Sequence, residues 1–263
     1  MKLAIDRIQV LTATVICLAA QIAVCQETPD QILQTFLYGK STKQVEKAYW
    51  HIYQNQKSYA DLVYDELARY QDKKKKVNIP DRLIYLAAII RDERYVKPLV
   101  KLISNPYYSE DACIYCCPIV LAVKYYTCFS PYKVPTNLNR KLTAVNDLYG
   151  DIDRLKNLDV HKEEITDFIH GPDDSANAEF GKMSFEKLFA LAGPNNKDEK
   201  SRFIASAGIA ANATDDSHLP ELYWLASTEM IDASCEYRCF IYQALDKAEK
   251  YRFDKLKKAR KHP

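Results

Sequence analysis

The chain has 263 residues, of which 48% are apolar and 27% charged, a balance that excludes a disordered protein. Only six glycines occur, and because sheet proteins and phosphate-binding α/β folds use glycine in turns and loops, this scarcity favours helices joined by short connections. The formal net charge of +2 is too small for a nucleic-acid binder, in which we expect a basic stripe.

The N-terminus has the pattern of a signal peptide. Lys2 and Arg7 form a short basic region, residues 8–20 are mostly apolar, and a more polar sequence begins at Gln26. The apolar run is shorter than the roughly 20 residues that a membrane-spanning helix requires. We therefore predict that residues 1–25 are removed and that the mature chain is exported, to a periplasm or out of the cell. The alternative is an N-terminal helix that packs on the first helical repeat.

Cys25 offers a second interpretation of the same segment. The sequence Ile22-Ala23-Val24-Cys25 resembles a bacterial lipobox, in which the cysteine is lipidated, although Val24 stands where that box has a small residue. The protein would then be a membrane-anchored lipoprotein, and this is the one case in which we expect a membrane partner.

Helical periodicity dominates the rest of the chain. The predicted helices span residues 30–38, 42–54, 92–103, 138–148, 162–169, 184–192, 199–213, 219–229 and 234–252. Two further helices are expected to begin at Ser58, which suits an N-cap, and at Pro80, which suits a first helical turn. A lysine run at residues 73–76 predicts a solvated connection, and the basic tail at 255–263 is expected to fray.

An internal repeat is the most informative pattern. At an offset of 123 residues, Asp92, Val96, Leu99, Leu102 and Ser104 fall on Asp215, Leu219, Leu222, Leu225 and Ser227, and Ala87 and Ala88 fall on Ala210 and Ala211. At an offset of 122, Cys113, Tyr115, Cys117 and Ile119 fall on Cys235, Tyr237, Cys239 and Ile241. Helix periodicity alone explains part of this agreement, but not paired cysteines that flank a shared tyrosine.

The repeated segments "RDERYVKPLVKLI" and "DDSHLPELYWLA" resemble the second helix of a HEAT repeat, and armadillo units have a similar length. The resemblance covers two copies, residues 83–126 and 203–247. It implies that residues 26–254 form an α-solenoid of stacked antiparallel helix pairs, in which neighbouring pairs bury each other's apolar faces. The alternative within the all-α class is an irregular helical bundle.

Six cysteines would remain after export, and an even number in an exported protein suggests disulfides. Three repeats of about 10 Å would separate the two cysteine groups by about 30 Å, whereas a disulfide requires Cα atoms within about 7 Å. Cys235 is therefore expected to pair with Cys239 and, by analogy, Cys113 with Cys117. Cys116 is then left for Cys128. The alternative is that all six are buried free thiols.

The same cysteines could carry chemistry. Cys113, Cys116, Cys117 and Cys128 are numerous enough for a metal site or a thiol-dependent enzyme, but their spacing matches no zinc motif and lacks the βαβ context of redox proteins. We predict no catalytic, cofactor-binding or metal-binding residue from the sequence. Asn212-Ala-Thr214 is a glycosylation sequon, meaningful only in a host that glycosylates its exported proteins.

These patterns favour a non-enzymatic protein that binds another protein through a curved helical surface, as a scaffold, an inhibitor or an immunity-type module. A scaffold predicts a broad patch of exposed aromatic residues. The rival enzyme predicts a deep pocket that holds a titratable group with a shifted pKa. We expect no cofactor and no nucleic-acid partner.

Overall fold

The computed structural model describes residues 27–71, 79–103, 122, 180, 182–228 and 235–261. These residues form nine α-helices, one short 3-10 turn (Glu93–Tyr95) and no strand. The helices are α1 (Pro29–Tyr38), α2 (Thr42–Gln54), α3 (Gln56–Tyr70), α4 (Asp81–Ile90), α5 (Val96–Ile103), α6 (Phe185–Ala192), α7 (Glu199–Asn212), α8 (Leu219–Ser227) and α9 (Cys235–Lys261). The predicted all-α class is confirmed, and no helix among the described residues is long and apolar enough to cross a membrane.

The first helices begin where the sequence places capping residues. Thr28 and Gln31 form a capping box, in which the Thr28 hydroxyl accepts from the Gln31 amide at 3.2 Å and the Gln31 side chain accepts from the Thr28 amide at 2.8 Å. The predicted start at Ser58 is two residues late, because α3 begins at Gln56. Asn55 alone separates α2 from α3, and its side-chain amide donates to the His51 carbonyl at 2.8 Å, which caps the end of α2.

Helices α1 and α2 form a tight pair, joined by residues 39–41 and packed through Phe36 and Tyr49, whose ring centroids are 5.8 Å apart. Gly39 is required at this turn because a Cβ atom there would lie only 2.3 Å from the Thr35 carbonyl oxygen. A second pair, α6 and α7, packs in the same way around Gly208, where a Cβ atom would meet the Leu188 side chain at 3.1 Å. Adjacent helices thus pack as pairs, as the repeat pattern predicts.

The internal repeat is visible in the local geometry of its two copies. Asp92 accepts a hydrogen bond from the Arg94 amide at 3.0 Å, and Asp215 accepts one from the Ser217 amide at 2.9 Å, so the two aspartates form the same turn before a helix. The aligned positions that follow are buried in both copies: Val96, Leu99 and Leu102 in the first, and Leu219, Leu222 and Leu225 in the second. The agreement in burial does not extend to the aligned pair Ala88 and Ala211, because Ala88 is buried and Ala211 is exposed.

The two copies are in direct contact. The hydroxyl groups of Tyr85 on α4 and Tyr242 on α9 hydrogen-bond to each other, and α4 also packs on α8. The separation of about 30 Å expected for three intervening repeats therefore does not apply to α4 and α9. The described helices close back on one another, so that the first and last thirds of the chain share one buried core.

The last helix extends beyond its predicted end at residue 252. Helix α9 continues to Lys261, through most of the tail that we expected to fray. Its first part packs on α7 and α8 through buried residues such as Phe240 and Leu245. From residue 254 to residue 259, by contrast, every side chain is exposed. The helix therefore projects from the core over about its last two turns.

Candidate functional site

Most of the cysteines singled out by the sequence lie outside the described residues. This applies to Cys25, Cys113, Cys116, Cys117 and Cys128. Cys235 and Cys239 lie on the first turns of α9, where the structure describes their backbone alone. The predicted disulfides, the lipidation and the thiol or metal site therefore stay predictions. Within the described residues, no group of three or more His, Cys, Asp or Glu side chains could hold a metal ion.

A groove with a volume of about 770 Å³ lies among the described residues. It is bordered by the C-terminal ends of α1 and α8 and the N-terminal ends of α2 and α4, where four chain segments meet. Its lining is mixed, with Leu37, Val45, Ile79, Pro80, Trp224 and Ala226 among the apolar residues and Tyr38, Lys40, Thr42, Asp81, Arg82, Ser227 and Thr228 among the polar ones. This combination of an apolar wall and a few placed polar groups is typical of a binding site.

Arg82 holds the groove together. Its buried guanidinium donates to the carbonyl oxygens of Phe36 at 2.9 Å, Gly39 at 3.2 Å and Ser227 at 3.2 Å. These carbonyls lie at the C-terminal ends of α1 and α8, where no amide of the same helix is available to donate to them. The positive charge also lies at the negative ends of two helix dipoles. One side chain from α4 therefore fixes the relative positions of α1 and α8.

An aromatic cluster supports the floor of the groove from below. Trp224 is buried there, and its ring lies 5.5 Å from that of Tyr49, centroid to centroid. The Tyr49 hydroxyl donates to the Pro220 carbonyl at 2.5 Å, which ties α2 to the start of α8. Burial raises the pKa of Tyr49 well above its usual range, so this hydroxyl stays protonated and remains a donor. The floor is therefore rigid before any ligand binds.

Tyr38 stands at the rim as an exposed aromatic residue, with 49% of its surface accessible. Its hydroxyl donates to the Glu66 carboxylate at 2.9 Å and shares a second hydrogen bond with the Tyr70 hydroxyl at 2.9 Å. Burial of the hydroxyl and these two partners raise the Tyr38 pKa. The ring is thus presented to solvent in one fixed orientation, which lowers the entropy that a contact with it would cost.

Tyr38 does not provide the groove with a general acid or base, because its pKa is shifted upward, away from the neutral range in which such a group works best. Nor do the described residues display the broad aromatic patch expected of a scaffold, because Tyr38 is the one large exposed aromatic residue at the groove. The surface is better described as a short groove with a single aromatic residue on its rim.

A second cluster of charged groups is buried away from the groove. Arg91 forms an ion pair with Glu249, and the Tyr223 hydroxyl donates to the same carboxylate at 2.7 Å. Burial acts to lower the pKa of Arg91, but Tyr223 and Glu249 outweigh it and raise that pKa. Arg91 has the left-handed backbone conformation, with φ of 56°, at the end of α4. Solvent does not reach Glu249, and its contacts with Arg91 and Tyr223 join α4, α8 and α9.

A smaller cavity of about 260 Å³ lies beside the sequon. Asn212 is exposed at the end of α7 and lines this cavity with His218, whose ring stacks on Phe185 at 3.7 Å between centroids. Hydrogen bonds from Ser217 lower the pKa of Asp215, which stays ionised as the capping group of its turn.

Sequence patterns did not single out Arg82, Trp224, Tyr38 or Lys40. The one available signal was an arginine immediately before the apolar run of residues 83–90, on the face that the periodicity predicts to be buried. The whole chain matches no protein-family model, and neither a curated protein nor a solved structure is significantly similar to it.

Proposed function

We propose that this chain is an exported, non-enzymatic protein that binds a segment of another protein in the groove between α1, α2, α4 and α8. The observation that carries the proposal is the groove itself, a space of about 770 Å³ framed by four helix ends. Arg82, Tyr49 and Trp224 hold that frame rigid through contacts inside the protein. A preformed site spares a ligand the cost of ordering its receptor.

The chemistry of the lining indicates what kind of segment fits. Ala226 and Pro80 provide an apolar wall, and the Tyr38 ring at the rim is fixed by its two hydrogen bonds. Tyrosine is enriched among the residues that dominate protein–protein binding energy. Lys40 is exposed at the same rim and provides a cation for an acidic partner side chain. We therefore expect a short peptide segment that combines an apolar or aromatic residue with an acidic one.

The test selects ligands from a displayed library of random peptides, using the purified chain as bait. Ala226→Trp fills the groove from within its lining and should weaken the selected peptides roughly tenfold or more. Ala190→Trp is the matched control, because Ala190 is an exposed helical alanine on α6 that does not line the groove. It should bind like the unmodified chain.

Lys40→Glu provides the second arm of the experiment. Peptides that carry an acidic residue should lose affinity for this variant, because the attraction at the rim becomes a repulsion. If no peptide is enriched, or if the enriched peptides bind A226W and A190W equally, then the groove is not a protein-binding site. Circular dichroism melting of both tryptophan variants shows that each comparison is made on folded protein.

A further inference from the structure

The projecting end of α9 concentrates positive charge. Residues 250–261 contain seven basic side chains and one acidic one, Asp254. The rest of the chain has 30 basic and 34 acidic residues, against 37 and 35 in total, and is therefore negatively charged. The small net charge of +2 conceals this separation. A local cluster of this size attracts anions irrespective of the net charge.

Apolar residues are concentrated on the same segment. Of the three large hydrophobic residues exposed in the described part of the chain, Tyr251 and Leu256 lie here, with 45% and 46% of their surface accessible, and Tyr38 is the third. The end of this helix does not pack against the core. Lys255 contacts Asp216 at 3.3 Å, and the side chains of residues 254–259 are exposed to solvent. The same helical segment therefore combines positive charge with exposed apolar side chains.

We infer that the C-terminal end of α9, residues 250–261, binds the surface of an anionic phospholipid membrane. Helical segments that combine lysines and arginines with exposed leucine or aromatic residues lie at the interface of such membranes, where the cations meet the headgroups and the apolar groups enter the acyl boundary. Clusters of four to eight basic residues on a helix are the usual pattern for anionic lipid recognition. The two apolar residues favour a lipid surface over a nucleic acid, which would use the cations alone.

This contact is independent of the groove and of any lipid on Cys25. The groove lies at the junction of α1, α2, α4 and α8, and residues 250–261 do not line it. The inference therefore does not rest on the proposed peptide binding, and either can fail without the other. It does mean that the chain could hold a partner protein in the groove while α9 keeps it at a membrane surface.

The experiment measures co-sedimentation of the full chain with phosphatidylcholine vesicles that contain or lack phosphatidylserine. Binding should require phosphatidylserine and weaken as salt is raised. The variant K250Q/K257Q/K258Q removes three exposed cations, and because each contributes roughly fivefold to partitioning, we expect about a hundredfold loss. The matched control K43Q/K47Q/K57Q removes three exposed lysines from α2 and α3 and should bind like the unmodified chain.

Leu256→Gln distinguishes a lipid surface from a soluble polyanion. It should weaken vesicle binding severalfold and leave retention on a heparin column unchanged, because heparin offers charge without an apolar layer. Equal loss in the two triple variants would overturn the inference, as would vesicle binding that ignores phosphatidylserine. Tighter binding to short duplex DNA than to the anionic vesicles would also overturn it. Melting curves of each variant confirm that α9 remains folded.

Discussion

Replacing Arg82 with methionine should destabilise the chain by about 2–4 kcal/mol. Three carbonyl oxygens lose a charged donor, those of Phe36, Gly39 and Ser227. Each buried acceptor left without a partner costs about 1–3 kcal/mol. Water entering from the groove satisfies some of these acceptors, and removal of a buried cation returns part of its desolvation cost. Methionine keeps most of the packing volume, so the expected loss comes from polar contacts and not from a void.

The assay is reversible urea unfolding at fixed redox conditions, followed by circular dichroism, with the slope of the transition checked for constancy. Arg69→Met is the control, because Arg69 is 65% exposed and its ion pair with the buried Glu66 carboxylate should cost less to lose than the three carbonyl contacts of Arg82. Arg82→Lys should show an intermediate loss, since an ammonium retains the charge but does not reach all three carbonyls. If R82M were as stable as R69M, the view that Arg82 holds α1 and α8 together would be refuted.

Three further outcomes are expected. Tyr223→Phe removes the hydroxyl that donates to Glu249 and should cost about 1.5–3 kcal/mol in urea unfolding, whereas Tyr251→Phe, on an exposed ring, should change nothing measurable. Hydrogen bonds from Arg94 hold the pKa of Asp92 below its usual value of 3.8. The ionised carboxylate therefore stabilises the fold above pH 3.8, and this stabilisation is lost as the pH falls through the lower pKa of the folded state. Asp92→Asn keeps an acceptor for the turn, so the loss in free energy of unfolding measured in urea should be largest at neutral pH and vanish in acid. An equal loss at both pH values would contradict the stabilising role of the Asp92 charge. Intact mass spectrometry of the exported protein should find a chain that begins near Gln26 and is about six mass units lighter than its reduced form, two for each of three disulfides. An uncleaved chain with six alkylatable thiols would contradict both export and the disulfides.

The elements that sequence predicts best are those whose determinants lie within a few residues. Helices expected at residues 30–38 and 42–54 are found at Pro29–Tyr38 and Thr42–Gln54, because capping groups and apolar spacing are local. The turns at Asp92 and Asp215 follow for the same reason, since each aspartate bonds to an amide two residues further on. The late prediction at Ser58 is also a local effect, because either Asn55 or Ser58 can serve as an N-cap and only Asn55 also closes the preceding helix.

The groove could not be predicted because its determinants are distant in sequence. Arg82 bonds to carbonyls that lie 43, 46 and 145 residues away, and those partners are defined only once α1, α4 and α8 have met. The same holds for Tyr85 and Tyr242, which are 157 residues apart and in contact. A periodic pattern reports which face of a helix is buried, but not which helix covers it. The repeat unit was therefore recognisable from sequence, while the contact between its two copies was not.

Cations from other helices satisfy some of the carbonyls at helix ends. Helices commonly end with a glycine in the left-handed conformation, which allows the last carbonyls to be satisfied by the following amides. Among the described residues, Arg91 is the one non-glycine residue with positive φ, and Gly39, after α1, has an extended backbone instead. Besides backbone amides such as that of Gly39, which donates to the Thr35 carbonyl, side-chain cations meet carbonyls at these ends: Arg82 serves α1 and α8, and Lys247 donates to the Ala210 carbonyl of α7 at 2.6 Å.

This mode of capping has a consequence for the groove. A backbone cap joins a helix only to its own continuation, whereas a cation from another helix joins two elements that are far apart in the chain. The C-terminal ends of α1 and α8 are therefore held by a side chain from α4, and they form the groove where they converge on it. Because a guanidinium stays charged across the physiological pH range, the frame of the groove should keep its shape when pH changes.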